Sequence, residues 1–124
     1  MDDRLKELKL FNFIDLINPM LLSFIIPLYN GAASIERCLE SICSLALTSD
    51  AFEAIIVDDG SKDDGASLMQ RFATTHQQVC LVSQPNRGTS SARNRGLELA
   101  RGKYIWFVDA DFEIILFYMV AEKG

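Results

Sequence analysis

No stretch of about 18 consecutive apolar residues occurs in the 124 positions, so no membrane-spanning helix is expected. Basic charge is also scarce. Against 17 Asp and Glu stand only 12 Lys and Arg, for a net charge of −5. A nucleic-acid binder needs a basic face to neutralise phosphates, and this balance argues against one. Cysteine is limited to Cys38, Cys43 and Cys80, an odd number without metal-ligand spacing. They read as reduced, mostly buried thiols of a cytosolic protein. The opening Met1-Asp2-Asp3 is acidic and no small-residue cleavage site follows, so no secretory signal is expected. The single histidine, His76, sits in the polar loop Thr74–Gln78 and is expected to be solvated. Neither G-x-G-x-x-G nor G-x-x-x-x-G-K-[ST] is present, which leaves a dinucleotide fingerprint and a P-loop unsupported. There is no internal repeat and no low-complexity linker.

What remains is a chain of 49% hydrophobic and 23% charged residues, the composition of one soluble domain with a modest core. Residues 1–20 stand apart from 21–124. Leu5, Leu8, Phe11 and Leu16 recur at roughly helical spacing, with Arg4, Lys6, Glu7 and Lys9 on the other faces, until Pro19 stops the pattern. A helical extension that packs on the domain or is only loosely held is expected. An amphipathic segment touching a membrane surface or a partner is the alternative.

From Leu21 onward two kinds of segment alternate. Leu21–Ile26, Ala54–Val57, Val79–Val82 and Tyr104–Val108 are short apolar runs, and each is followed by a turn-forming group. Pro27 suits the end of the first. Ile35, Leu39, Ile42 and Leu45 mark a helix face after it. Ser61 with Asp64 resembles a capping box and predicts a helix from about Lys62 through Phe72. Thr89 or Ser90 is expected to cap a third helix that Gly102 ends. This alternation predicts an α/β fold, a mostly parallel sheet with helices on both faces. The last run, Tyr104–Val108, reads as a strand buried on both faces.

Ligands in such a sheet sit beyond the carboxyl ends of the strands, where four turns are expected to converge. Asp109 and Asp111, separated by Ala110, could seat a hard divalent cation carrying phosphate oxygens. A triplet of that kind arises by chance roughly 0.8 times in a chain of this aspartate content, and solvated loop carboxylates are the alternative. Asp58 and Asp59 could accept from a ribose hydroxyl or a base N–H, or form a plain turn. Tyr29 could stack on a base or pack at the sheet rim. Arg93 could present a planar donor to a diphosphate or belong to a solvated helix face, and Arg101 suits a helix C-terminus.

Taken together, Phe24-Ile25-Ile26-Pro27-Leu28-Tyr29-Asn30, Ile55-Ile56-Val57-Asp58-Asp59-Gly60-Ser61, Asn86-Arg87-Gly88 with Ser91-Ala92-Arg93-Asn94 and Gly96, and Asp109-Ala110-Asp111 resemble four motifs, in order, of the family 2 glycosyltransferases. The resemblance covers about residues 22–112. It implies the GT-A, Rossmann-like fold of nucleotide-diphospho-sugar transferases and an inverting transfer to an acceptor hydroxyl. By position, it implies that Pro27 and Tyr29 line the base pocket, with Asp59 on the base, usually uracil, and Asp58 beside it. Asn86 and Arg93 would line the nucleotide-sugar site, Asp109 would contact ribose or metal, and Asp111 would hold Mn²⁺ or Mg²⁺ on the diphosphate.

The partners implied are a UDP-sugar donor and a glycan or lipid-linked acceptor, as in polysaccharide biosynthesis. The implied location is cytoplasmic, including the cytoplasmic face of a membrane by peripheral contact. After Asp111 the chain departs from the family pattern, because Phe112–Val120 is almost wholly apolar. The resemblance therefore implies a donor-binding half, incomplete at the C-terminus, in which no catalytic base can be assigned. Apolar surface left uncovered would favour self-association. A non-catalytic α/β nucleotide-binding module is the alternative function.

Overall fold

Residues 20–45 and 50–112 are described by the structure, a computed structural model. The expected helical extension over residues 1–20 thus lies outside the described residues except for Met20, as does the apolar run after Phe112. Among the described residues four strands and three helices alternate: β1 (Leu22–Leu28), α1 (Ile35–Cys43), β2 (Phe52–Asp59), α2 (Gly65–Thr75), β3 (Val79–Gln84), α3 (Thr89–Leu99) and β4 (Tyr104–Phe107). The strands form one parallel sheet in the order β3-β2-β1-β4.

The pleat sorts the apolar runs into two faces. Phe24, Ile26 and Leu28 of β1 and Phe52, Ala54 and Ile56 of β2 share one face. They pack with Ile35, Cys38, Leu39 and Ile42 of α1 and Met69 of α2 in the larger core. The Phe24 and Phe52 rings meet edge to face at 5.9 Å, the arrangement that aromatic quadrupoles favour. On the other face Ile55 and Val57 meet Ala92 of α3. Here the helix lies close to the sheet, since a Cβ at Gly96 would sit 2.4 Å from Ile25 Cγ2. Helices therefore cover both faces, as the alternation predicts.

Several expectations need correction. The Tyr104–Val108 run is not a strand buried on both faces. Among the described residues β4 lies at the edge of the sheet, with Tyr104, Ile105 and Phe107 at 56%, 37% and 43% exposure. A continuous apolar run carries no signal of which strand lies at the edge. β1 does not stop before Pro27 but runs through it to Leu28. The Val108 N–H donates to the Ile25 carbonyl, so by the two-residue period Pro27 also faces β4. The β1–β4 pairing ends at Ile25 and Phe107, so the missing N–H of Pro27 forfeits no ladder bond there.

α2 begins at Gly65 rather than about Lys62, and Asp64 occupies its N-cap position without a side-chain cap bond. Neither Thr89 nor Ser90 caps α3, because Gly88 holds that position at φ 99°. Of the cysteines, Cys38 is buried, Cys43 half-buried and Cys80 exposed, all three free. His76 is not simply solvated. Its ring stacks on Phe72 at 4.1 Å at the end of α2.

At the amino ends of the strands a buried carboxylate ties the sheet to the α3–β4 loop. Glu53 accepts from the Ser23 hydroxyl and from the Arg101 backbone N–H, each at 2.6 Å, and pairs with Arg101 Nε at 3.3 Å. Arg101, the residue that follows the C-cap Ala100 of α3, thus serves this latch as well as the helix terminus. A Cβ at Gly102 would meet the Ser23 backbone nitrogen at 2.6 Å, so only glycine fits this close approach.

Candidate functional site

The chain runs outward from β1 through β2 to β3, then returns to the opposite side of β1 as β4. α1 and α3 lie on opposite faces of the sheet. The strand order thus reverses between β1 and β4. Beyond the carboxyl ends of these two strands the backbone must part, which opens a crevice where such folds take ligands. A cleft of about 440 Å³ lies there, walled by Pro27–Gly31 at the end of β1 and just beyond it, by Asp59 at the end of β2, and by Asp109–Asp111 after β4.

Two turns are stitched together to form one wall. The Asn30 N–H donates to Ser61 Oγ at 3.0 Å, the Lys62 N–H donates to Asn30 Oδ1 at 2.8 Å, and the Ala32 N–H donates to Asp63 Oδ2 at 3.0 Å. Asn30 adopts φ 52°, a left-handed conformation that asparagine tolerates. Ser61 is therefore a brace between turns, not a helix cap. The brace leaves Tyr29, 48% exposed, at the lip of the cleft.

Asp59 is only 4% exposed and is the most heavily bonded acid in the site. Its Oδ1 accepts from Gln84 Nε2 at 2.9 Å and the Arg87 N–H at 2.8 Å, and its Oδ2 accepts from the Gly88 N–H at 2.9 Å. Burial pushes its pKa up, but these donors and the Arg87 charge outweigh that effect and hold the carboxyl below its ordinary value. Asp58, on the opposite side of the pleat, is buried and accepts from the Ser61 N–H at 3.2 Å.

Asp109 and Asp111 are both exposed. Arg93 Nη2 lies 3.6 Å from Asp109 Oδ1, with side-chain exposures of 42% and 70%, a pairing worth about 0–1 kcal/mol at the surface. Its guanidinium also rides 5.9 Å above the Phe107 ring, and its Nε is shut from solvent without an acceptor. Beneath the loop, the Cys38 thiol donates to the Asp109 carbonyl at 3.6 Å. Burial, then the charges of Asp111 and Asp109, push that thiol up to about 12, so it stays protonated.

Of the residues singled out from sequence, the structure brings Pro27, Tyr29, Asp59, Asp109 and Asp111 onto the cleft. Arg93 reaches it through Asp109. Asp58 is turned into the fold. Asn86 is exposed on the β3–α3 loop, where its N–H packs against Gly60: a Cβ there would meet Asn86 N at 2.8 Å. Sequence reasoning missed Gln84, Ser34 and Thr89. Gln84 stands opposite Asp59 in the strand register, a cross-strand pairing that cannot be read without the register. Among the described residues no group of three or more His, Cys, Asp or Glu is arranged to hold a metal. Asp109 and Asp111 supply two hard oxygen donors, the number that suits a Mg²⁺-like ion completing its shell with phosphate oxygens and water.

The family model for glycosyl transferase family 2 matches residues 23–115, and the chain belongs to that family. It is 46% identical over 93 residues to the uncharacterized glycosyltransferase YibD of Escherichia coli (strain K12), covering 75% of this chain and 26% of that protein. It is 41% identical over 91 residues to the chondroitin synthase of Escherichia coli, covering 73% of this chain and 13% of that protein. Two solved structures share the fold. The S. aureus TarS 1–349 complex with UDP-GlcNAc has a TM-score of 0.75 at 26% identity, covering 84% of this chain and 30% of that one. The mannosyltransferase PcManGT from Pyrobaculum calidifontis, in complex with GDP-Man and Mn²⁺, has a TM-score of 0.68 at 34% identity, covering 73% of this chain and 27% of that one. The chain spans about a quarter of the length of YibD and less of the chondroitin synthase.

Proposed function

We propose that the cleft binds a nucleotide-diphospho-sugar, a UDP-sugar, and that this chain is the donor-binding part of an inverting glycosyltransferase. The observation that carries the reading is the convergence of Tyr29, Asp59, Asp109 and Asp111 on one cleft at the point where the strand order reverses. Tyr29 would stack on the base. Asp59 would accept from it, Asp109 would meet the ribose or a cation, and Asp111 would hold Mn²⁺ or Mg²⁺. Arg93, whose partly exposed head is only loosely paired with Asp109, would meet a diphosphate oxygen. A divalent cation bound here would neutralise charge that builds on the leaving nucleoside diphosphate. The acceptor would be a glycan or lipid-linked hydroxyl, and the base that deprotonates it has no candidate in this cleft. A cytoplasmic location, in solution or at a membrane face, belongs to the same proposal. No helix of the described residues is long and apolar enough to cross a membrane.

A non-catalytic, metal-free α/β nucleotide-binding module is the competing reading. Titration calorimetry with UDP, with and without Mn²⁺, separates the two. Metal-dependent binding that disappears in Asp111→Ala supports the transferase reading. Binding indifferent to metal supports the other.

A further inference from the structure

A carboxylate offers about four acceptor positions, two on each oxygen. On Asp59 three are filled from within the chain. Gln84 Nε2 and the Arg87 N–H take both positions of Oδ1, and the Gly88 N–H takes one of Oδ2. Among the described residues no other donor reaches this carboxylate, so one position on Oδ2 remains for whatever enters the cleft that Asp59 lines. The other three are held firmly. Gln84 is the register partner of Asp59 on the neighbouring strand, and its amide also lies 3.4 Å from Ser91 Oγ at the start of α3. The Arg87–Gly88 turn is fixed by the left-handed glycine at φ 99° and by Asn86 packed against Gly60.

We infer that Gln84 is a positioning residue that sets base selectivity, by filling Oδ1 of Asp59 and leaving a single acceptor on Oδ2 for the ligand. This rests on the nucleotide-sugar reading above and deepens it. A base that brings one ring N–H flanked by acceptors, as uracil and thymine do, satisfies that single position. Guanine brings two adjacent donors, a ring N–H and an exocyclic N–H, which need two free acceptor positions on the carboxylate. Against Asp59 one guanine donor would be buried without a partner, a loss that buried polar groups do not recover elsewhere. Gln84 need not touch the ligand. Its amide decides how much of Asp59 is left to offer.

The test is calorimetric titration of the full chain with UDP, dTDP and GDP in Mn²⁺. The intact chain is expected to bind UDP and dTDP at least tenfold more tightly than GDP. In Gln84→Leu, which keeps the bulk and removes the donor, Oδ1 regains an acceptor position. UDP binding is expected to weaken while the UDP-to-GDP preference shrinks several-fold. A residue that only braced the fold would lower all three affinities together, and an unchanged ratio in the variant overturns the proposal. Equal binding of GDP and UDP by the intact chain overturns it as well, and needs no variant to fold. If the intact chain binds no nucleotide, with or without Mn²⁺, the nucleotide-sugar reading itself falls. If it binds with the wrong ratio, only the role of Gln84 does.

Discussion

Asp59 and Asp111, separated in sequence by two helices and two strands, line the same cleft. Their environments differ sharply. Asp59 is buried with three donors on its carboxylate, whereas Asp111 is exposed. Substitution should therefore separate binding from folding. Asp111→Ala is expected to abolish metal-dependent UDP binding and to change stability by no more than about 0.5 kcal/mol, the usual range at a surface site. Asp59→Asn should lose binding and also destabilise by about 1–3 kcal/mol, because the amide turns an NH₂ toward an N–H that needs an acceptor. Urea melts beside calorimetry check both halves.

The same bonds give Asp59 a pH signature. Its folded pKa lies below its ordinary value, through N–H donation and the Arg87 charge acting against burial. A depressed folded pKa means that the stability it contributes is complete above the unfolded value, roughly 4, and is lost as pH falls through the folded value. Urea melts repeated from pH 7 downward should show stability falling below about pH 4 in the parent chain. Asp59→Asn, already less stable at pH 7, should lose less on acidification. Parallel acid losses in the two proteins would contradict this account.

The alternation of strands and helices was legible because buried runs and a 3.6-residue period leave plain marks, as in Ile35, Leu39 and Ile42. The meeting of Tyr29, Asp59, Asp109 and Asp111 followed from one topological rule, that parallel strands end on a common rim. Roles that depend on register were not legible. Ser61 has the spacing of a helix cap, yet its hydroxyl accepts from Asn30 on another turn. Asp58 and Asp59 are adjacent letters, but the pleat sends one into the fold and the other to the cleft. Tyr104–Val108 looks like a central strand, because apolar content alone does not report position in the sheet. Glu53, an acid in an apolar run, gave no hint that Ser23 and Arg101 would pair with it.

That latch makes a prediction independent of function. Glu53 is buried and accepts from both Ser23 and the Arg101 backbone, while the Arg101 side chain is 68% exposed. Glu53→Ala strands two donors and is expected to cost about 2–4 kcal/mol. Arg101→Ala leaves the backbone bond in place and should cost less than about 1 kcal/mol. Because the latch lies at the amino ends of the strands, Arg101→Ala should leave the UDP affinity unchanged. Chemical denaturation of both variants, with calorimetry on the second, tests the pair.

Gly96 is a case where a rule of helix propensity should reverse. Gly to Ala inside a helix ordinarily stabilises by about 1 kcal/mol. Here the added methyl would sit 2.4 Å from Ile25 Cγ2 and 3.2 Å from Cγ1, in a strand that cannot retreat. Gly96→Ala is expected to destabilise by about 1–3 kcal/mol, the range for overpacked cores. Ile25→Ala removes both γ carbons, so the double variant should be more stable than the sum of the single losses predicts. Strict additivity in denaturant melts would show that the two side chains do not compete for this space.

The outer edge of β4 carries the last prediction. Tyr104 and Val108 turn their N–H groups toward Leu21 and Ile25 of the β1 segment, so Ile105 and Phe107 direct theirs outward. Among the described residues no strand pairs with that side, and Ile105 and Phe107 of β4 are exposed. An unpaired apolar edge is a template for a second copy of the same strand. We expect the isolated chain to self-associate, with a sedimentation coefficient that rises with concentration. Ile105→Lys places a charge on the edge without touching the cleft. It should shift the chain toward monomer while keeping its far-UV spectrum and its UDP affinity. A parent chain that sediments as a single monomeric boundary at every concentration would show that this edge is already covered.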